Sequence, residues 1–154
     1  MRRRSNATVA LRAGGPAGVV AAIIMDAYRL GVGYFTHRAI PEDHYRYVAS
    51  AILGPAAYAL PGAAWFGVAL HLMIGLVWGV AFASAALHTA ALYERPITSG
   101  AVFGSIVYVV MRVVTAAGGI ARPATPGVAF FEWVAHTVFF GIPLAVIVAH
   151  RRPV

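Results

Sequence analysis

Four long apolar segments alternate with shorter polar ones along the chain. They cover residues 15–35, 63–87, 100–119 and 127–150, and about 20 helical residues are enough to cross a hydrocarbon core of about 30 Å. Backbone groups in lipid must be hydrogen-bonded within the protein, and the short alternating strands of a membrane barrel are absent. The pattern therefore predicts an all-α, integral membrane four-helix bundle that forms a single domain over residues 1–154.

The connection between the first two apolar segments, residues 36–62, is too long for a simple loop. It begins with the polar stretch THRAIPEDHYRY and continues with the apolar stretch VASAILGPAAYAL. An apolar stretch of about 13 residues is too short to cross a bilayer and is typical of an interfacial or re-entrant segment. The sequence predicts an additional short helix of this kind within residues 41–60, on the outer face of the membrane.

Composition supports the membrane interpretation. Hydrophobic residues make up 60% of the chain and charged residues only 11%, and the mean hydropathy is +0.76. So little charge is not enough to cover the surface of a soluble domain of this length. All 12 basic residues are arginines, and most of them lie near the ends of the chain or of the apolar segments, which does not indicate nucleic-acid binding. The absence of cysteine excludes disulfides, thiolate metal sites and cysteine nucleophiles.

The arginines also predict an orientation. With a cytoplasmic N-terminus, seven arginines flank the inner ends of the segments and three flank the outer ends, leaving aside Arg29 and Arg112 within segments. The positive-inside rule then places both termini in the cytoplasm. The basic start resembles a signal peptide, but its apolar run continues to Phe35, which predicts an uncleaved first span.

Ionisable residues occur inside all four apolar segments, and counting at 1.5 Å per residue places them in the outer half of the membrane. This predicted polar layer consists of Asp26, Arg29, His71, Arg112, Glu132 and His136. Charges in lipid are costly, so these groups are expected to face the bundle interior and pair with each other. The candidate ion pairs are Asp26–Arg112 and Glu132 with either arginine.

Several roles for this polar layer remain open on sequence alone. It fits a buried network that fixes helix register, an outward-facing pocket that binds an anionic head group through Arg29 and Arg112, or part of a proton or anion path. Two histidines at similar depth on parallel helices, His71 and His136, are candidate ligands of a b-type haem. With Asp26 and Glu132 they are also suitable ligand types for a divalent metal, although the arginines oppose a cation. The remaining histidines are expected to be solvated: His37, His44, His88 and His150.

Small residues mark a predicted packing face on the second span, where they recur every four residues around His71. They are Gly67, Gly75, Gly79 and Ala83. The two halves of the chain also share spacings. Gly18 precedes Met25-Asp26 as Gly104 precedes Met111-Arg112, and His71 precedes Gly75 as His136 precedes Gly141, with one residue more. These spacings suggest two helical hairpins related as a parallel repeat.

Four stretches carry a family resemblance: AGVVAAIIMDAYR, HLMIGLVWGVAFA, GAVFGSIVYVVM and HTVFFGIPLA. Together they resemble the small four-span bacterial inner-membrane proteins of unknown function called YagU-like. The resemblance implies a multi-pass protein of a bacterial inner membrane in which His71 and His136 are typical positions, and it implies no activity.

No serine-hydrolase, nucleotide-binding or zinc-protease motif is present. At 16.2 kDa the chain has little bulk outside the membrane and much small-residue surface for helix contacts, which favours a non-catalytic accessory or self-associating subunit of a membrane complex. The alternatives are a protein that binds a ligand or b-type haem within the membrane, and a small proton or anion transporter.

Overall fold

The computed structural model describes residues 5–36 and 41–151, and every regular element in that part of the chain is helical. The prediction of an all-α bundle is confirmed. In chain order the elements are α1 (Asn6–Thr36), α2 (Pro41–Leu53), a 3₁₀ turn (Gly54–Tyr58), α3 (Ala63–Ala86), α4 (Ala91–Glu94), α5 (Pro96–Ala117), α6 (Pro126–Val134), a π-helical turn (Ala135–Gly141) and α7 (Ile142–His150).

Four helical stretches are long and apolar enough to cross a membrane: α1, α3, α5 and the continuous stretch Pro126–His150. They overlap the four apolar segments of the sequence. α1 begins earlier than residue 15, at Asn6, because the residues before Gly14 are mostly good helix formers. α5 begins at Pro96, where a proline in the first turn loses no helical hydrogen bond. The chain is thus a multi-pass membrane protein with apolar helices for lipid contact.

Glycines bring α1 and α3 into backbone contact. A Cβ atom at Gly14 would overlap the carbonyl oxygen of Gly79, and one at Gly18 would overlap that of Gly75. Only small residues allow two helices to approach this closely. Of the predicted packing face, Gly75, Gly79 and Ala83 meet α1, whereas Gly67 faces the backbone of Tyr45 on α2. α2 therefore lies alongside the first turns of α3.

The same contact pattern recurs between α5 and the last span. A Cβ at Gly100 would overlap the carbonyl oxygen of Gly141, and one at Gly104 would overlap that of His136. Gly141 thus corresponds to Gly79 of the first half, and His136 corresponds to Gly75. The predicted match of His136 to His71 is wrong by one helical turn.

The residue at the position of His71 is instead Glu132, four residues before His136. The spacing also differs between the halves, because Gly75 and Gly79 are four residues apart, whereas His136 and Gly141 are five apart. The extra residue is accommodated in the π-helical turn, where the Ile142 N–H donates to the carbonyl of Thr137. Pro143 explains this turn, because its ring has no N–H to donate to the carbonyl of Phe139 and would clash with it in an α-helix.

α2 is the additional short helix predicted between the first two spans. Arg46 ties it to the following 3₁₀ turn by donating to the Ala57 carbonyl at 2.9 Å, while its guanidinium also pairs with Glu42 at 2.6 Å. Gly62 then reverses the chain into α3 with a positive φ of 78°, which glycine adopts without strain. α2 therefore covers one end of the bundle, called the α2 end below.

Candidate functional site

A carboxylate and an imidazole from neighbouring spans meet at the α2 end. Asp26 Oδ1 on α1 lies 3.1 Å from His71 Nε2 on α3, and the two side chains are only 11% and 12% exposed. The Tyr45 hydroxyl on α2 donates to the other oxygen of Asp26 at 2.9 Å. Burial and the Asp26 carboxylate raise the pKa of Tyr45 above its usual range, so the phenol remains a hydrogen-bond donor. Three helices converge on one carboxylate.

An ion pair joins the first and last spans beside this carboxylate. The Arg29 guanidinium donates to both oxygens of Glu132, at 2.7 and 2.8 Å, and the two side chains are 22% and 32% exposed. This is one of the candidate pairs expected from the sequence. His136 is oriented by its own helix, since its Nδ1 lies 2.7 Å from the carbonyl oxygen of Glu132 and donates to it.

Arg112 lies apart from both carboxylates, so the candidate pairs Asp26–Arg112 and Glu132–Arg112 are not formed. Its side chain is exposed and reaches the carbonyl oxygen of Arg122 at 3.5 Å. Arg122 lies in the loop before α6, stacks 4.4 Å from the centre of the Tyr47 ring and donates to the Tyr58 hydroxyl at 2.5 Å. Within the described residues, neither arginine pairs with a carboxylate.

His44 is a site residue that sequence reasoning missed, because the polar stretch around it reads as a solvated loop. The expectation of a solvated His44 is wrong: its Nε2 is buried and its Nδ1 accepts from Arg29 at 3.2 Å. Burial, and next the Arg29 charge, lower its pKa to about 3. A signal was available, since the cavity-lining positions of α2 follow a helical i, i+3, i+4, i+7 pattern. They are His44, Tyr47, Val48 and Ala51.

The other histidines expected to be solvated are His37, His88 and His150. His88 and His150 are exposed, as expected. His37 lies outside the described residues.

A cavity of about 350 Å³ lies at the α2 end, between α3 and α5. Its polar lining includes Arg29, His44, His71, Glu132 and His136. Its remaining lining is mainly apolar and includes Met25, Ile74, Trp78, Val107, Met111 and Phe140. Arg112 and Arg122 also line it. Farther from α2, the Phe82 and Phe103 rings of α3 and α5 meet with their centres 5.0 Å apart.

The depressed pKa of His44 predicts how stability depends on pH. His44 titrates at about 3 when folded but near its ordinary value of 6.5 when unfolded, so the unfolded chain binds the extra proton between these values. Its contribution therefore destabilises the fold as pH falls from 6.5 towards 3, by up to about 1.4 kcal/mol per pH unit. We expect the thermal midpoint of the protein in detergent to fall over this range.

His44→Gln removes this titration and should flatten the decline, while His150→Gln at the opposite end should not. An equal decline in the His44→Gln protein would contradict the prediction.

Comparison with known proteins gives no family assignment. No protein-family model matches the chain, and no curated protein or solved structure is significantly similar to it. The resemblance to YagU-like proteins stays a prediction.

Proposed function

We propose that this membrane protein binds an anionic amphiphile, a molecule with a carboxylate or phosphate head and an apolar tail, in the cavity at the α2 end. The observation that carries the proposal is the combination of an apolar interior with two arginines that have no carboxylate partner among the described residues. The volume of about 350 Å³ lies within the range of small-molecule pockets, roughly 300–1,000 Å³.

The charges of the cavity favour an anion. Arg29 is neutralised by the two-pronged contact with Glu132. Arg112 and Arg122 bring two further positive charges, and within the described residues they donate only to a carbonyl and a hydroxyl oxygen. Guanidinium groups bind carboxylates and phosphates with two parallel hydrogen bonds, so an anionic head there gains charge-assisted bonds.

The apolar lining favours a tail. Met25, Ile74 and Val107 from three spans, with the rings of Trp78 and Phe140, form a surface that gains free energy by covering apolar atoms. A ligand drawn from the bilayer would already carry such a tail.

The same residues argue against the other roles weighed from the sequence. A haem between His71 and His136 is disfavoured because His71 Nε2 faces Asp26 and His136 lies one turn deeper. Transport is disfavoured because the aromatic contact of Phe82 with Phe103 lies below the cavity. An accessory-subunit role would use exposed apolar faces such as that of α5, which lipid covers equally well.

The arginine count supports the orientation that goes with this proposal, with both termini in the cytoplasm. The resemblance to YagU-like proteins suggests that the membrane is a bacterial inner membrane. The α2 end and the cavity then face the outer side, where an amphiphile of the outer leaflet would enter.

Replacing both unpaired arginines is expected to weaken binding of an anionic amphiphile. Loss of charge-assisted hydrogen bonds worth about 1.5–3 kcal/mol each predicts at least a tenfold increase in Kd for Arg112→Gln/Arg122→Gln. The measurement is quenching of Trp78 fluorescence in a Trp65→Phe/Trp133→Phe background, by a brominated fatty acid and, separately, by a brominated phosphatidic acid, in detergent. Mass spectrometry of gently purified protein identifies which head group co-purifies.

Two controls separate the head from the tail. Arg95→Gln removes an arginine at the opposite end of α5 and should leave Kd unchanged. The uncharged methyl ester of the fatty acid should bind the wild-type and Arg112→Gln/Arg122→Gln proteins equally weakly. Equal Kd values for the acid in wild-type and Arg112→Gln/Arg122→Gln proteins would reject the proposal.

A further inference from the structure

Three buried side-chain atoms at the α2 end, each of a type that can bind a metal ion, have no hydrogen-bond partner. They are Asp26 Oδ1, His44 Nε2 and His71 Nε2, and no other buried side-chain nitrogen or oxygen in the described part of the chain lacks one. Asp26 Oδ1 and His71 Nε2 are 3.1 Å apart but are not aligned for a hydrogen bond. Burying such an atom without a partner costs about 1–3 kcal/mol. The concentration of all three in one place points to a missing partner.

The three residues also converge on one point. They come from α1, α2 and α3, and each offers one ligand atom such that all three atoms lie within 4.8 Å of one another. In a tetrahedral site with bonds of 2.0–2.1 Å, ligand atoms are separated by about 3.4 Å. The spacing of Asp26 and His71 is close to this value, and a small inward movement of α2 would bring His44 to it.

We infer that Asp26, His44 and His71 form a binding site for a divalent transition-metal ion of the Zn²⁺ type. Two imidazoles and one carboxylate are a ligand set for Zn²⁺ or Co²⁺, whereas Mg²⁺ and Ca²⁺ prefer oxygen ligands alone. With both imidazoles neutral the set carries one negative charge, which attracts a cation. This site differs from the set expected from the sequence, because Glu132 pairs with Arg29 and His136 bonds to its own helix.

The surroundings of the carboxylate support ligation. Tyr45 donates to Asp26 Oδ2 and leaves Oδ1 directed at the two histidines. Ligating carboxylates are commonly held in place by such a second hydrogen bond. His44 and His71 also line the cavity, so a fourth coordination position is open to water or to a ligand in the cavity.

Arg29 contacts His44, and this contact must change on metal binding. Because a guanidinium only donates, the 3.2 Å contact makes His44 Nδ1 an acceptor, and the proton of the neutral ring is then on Nε2. Binding a metal at Nε2 moves that proton to Nδ1 and breaks the contact with Arg29. Arg29 keeps both hydrogen bonds to Glu132, which hold its charge paired.

The test is metal binding by protein purified with a histidine-free tag and stripped with a chelator. We expect about one Co²⁺ per chain, with the visible absorption of a tetrahedral site, displaced by Zn²⁺. His44→Gln, His71→Asn and Asp26→Asn should each raise Kd by more than the 10- to 100-fold typical of losing a supporting residue. Tyr45→Phe, which removes only the support of Asp26, should raise it by about 10-fold.

His136→Gln and His88→Gln are the matched controls and should bind Co²⁺ like the wild type. Since Asp26 and His71 lie within the bundle, their variants could fail to fold, and His44→Gln on α2 then decides the question. Unchanged Co²⁺ affinity and spectrum in folded His44→Gln protein would overturn the inference. An equal loss in His136→Gln would also overturn it. The metal site does not depend on amphiphile binding, because the arginine variants above leave its three ligands intact.

Discussion

Glu132→Gln is expected to lower the free energy of unfolding by about 3 kcal/mol. The change removes the charge that pairs with Arg29 and leaves a guanidinium, only 22% exposed, without its carboxylate inside the bundle. Breaking a buried ion pair by removing one partner costs about 3–5 kcal/mol, and partial exposure places this pair at the lower end. The measurement is equilibrium unfolding in mixed micelles with a denaturing detergent.

The double variant Arg29→Gln/Glu132→Gln provides the control. Two neutral amides leave no unpaired charge, so the double variant should be more stable than either single variant. The coupling energy, which is the effect of the double variant minus the sum of the two single-variant effects, then measures the interaction between the Arg29 and Glu132 side chains. Additive losses in the double variant would show that the two side chains do not stabilise each other.

Gly18→Ala and Gly104→Ala are each expected to destabilise the bundle by about 3 kcal/mol, near the upper end of the usual cost of overpacking. In both cases the added methyl group would overlap backbone atoms of the facing helix: Gly75 in one pair, His136 and Thr137 in the other. Backbone cannot rotate away as a flexible side chain can, so the helices must separate. Unfolding in mixed micelles measures the effect.

Gly31→Ala is the matched control within α1. No atom lies within 4 Å of a Cβ built at Gly31, so the change should alter stability by about 1 kcal/mol or less. A similar loss in Gly31→Ala and Gly18→Ala would mean that lost helix flexibility, rather than contact between α1 and α3, causes the effect.

The spans could be predicted from the sequence because each is a continuous apolar run, and lipid leaves the backbone no alternative to a helix. The pairing of Arg29 with Glu132 was also foreseeable, as one of a few ways to neutralise charges at similar depth. Which of the two arginines, Arg29 or Arg112, pairs with Glu132 could not be predicted, because this depends on how far each helix is rotated about its axis. Arg112 lies beside the loop that contains Arg122 and lines the cavity without reaching Glu132.

Estimating depth from residue number could not predict the buried position of His44 or the π-helical turn. α2 is polar, so hydropathy gives no reason to bring it into the bundle, and its approach depends on the absence of a side chain at Gly67. Counting at 1.5 Å per residue assumes an unbroken α-helix, which Pro143 prevents. The larger spacing between His136 and Gly141 was visible in the sequence, but its structural cause was not.

An inserted residue normally rotates all later side chains of a helix by about 100°. Here the wide turn at Ala135–Gly141 absorbs the insertion, and Leu144, Ala145 and Val148 remain buried beyond it. The two halves, which share the same glycine contacts, also differ before this turn, where His71 of the first half carries an imidazole and Glu132 of the second a carboxylate. Because the inserted residue lies after Glu132 and is absorbed within the turn, the length of the last span and the side-chain chemistry at the cavity can change independently of each other.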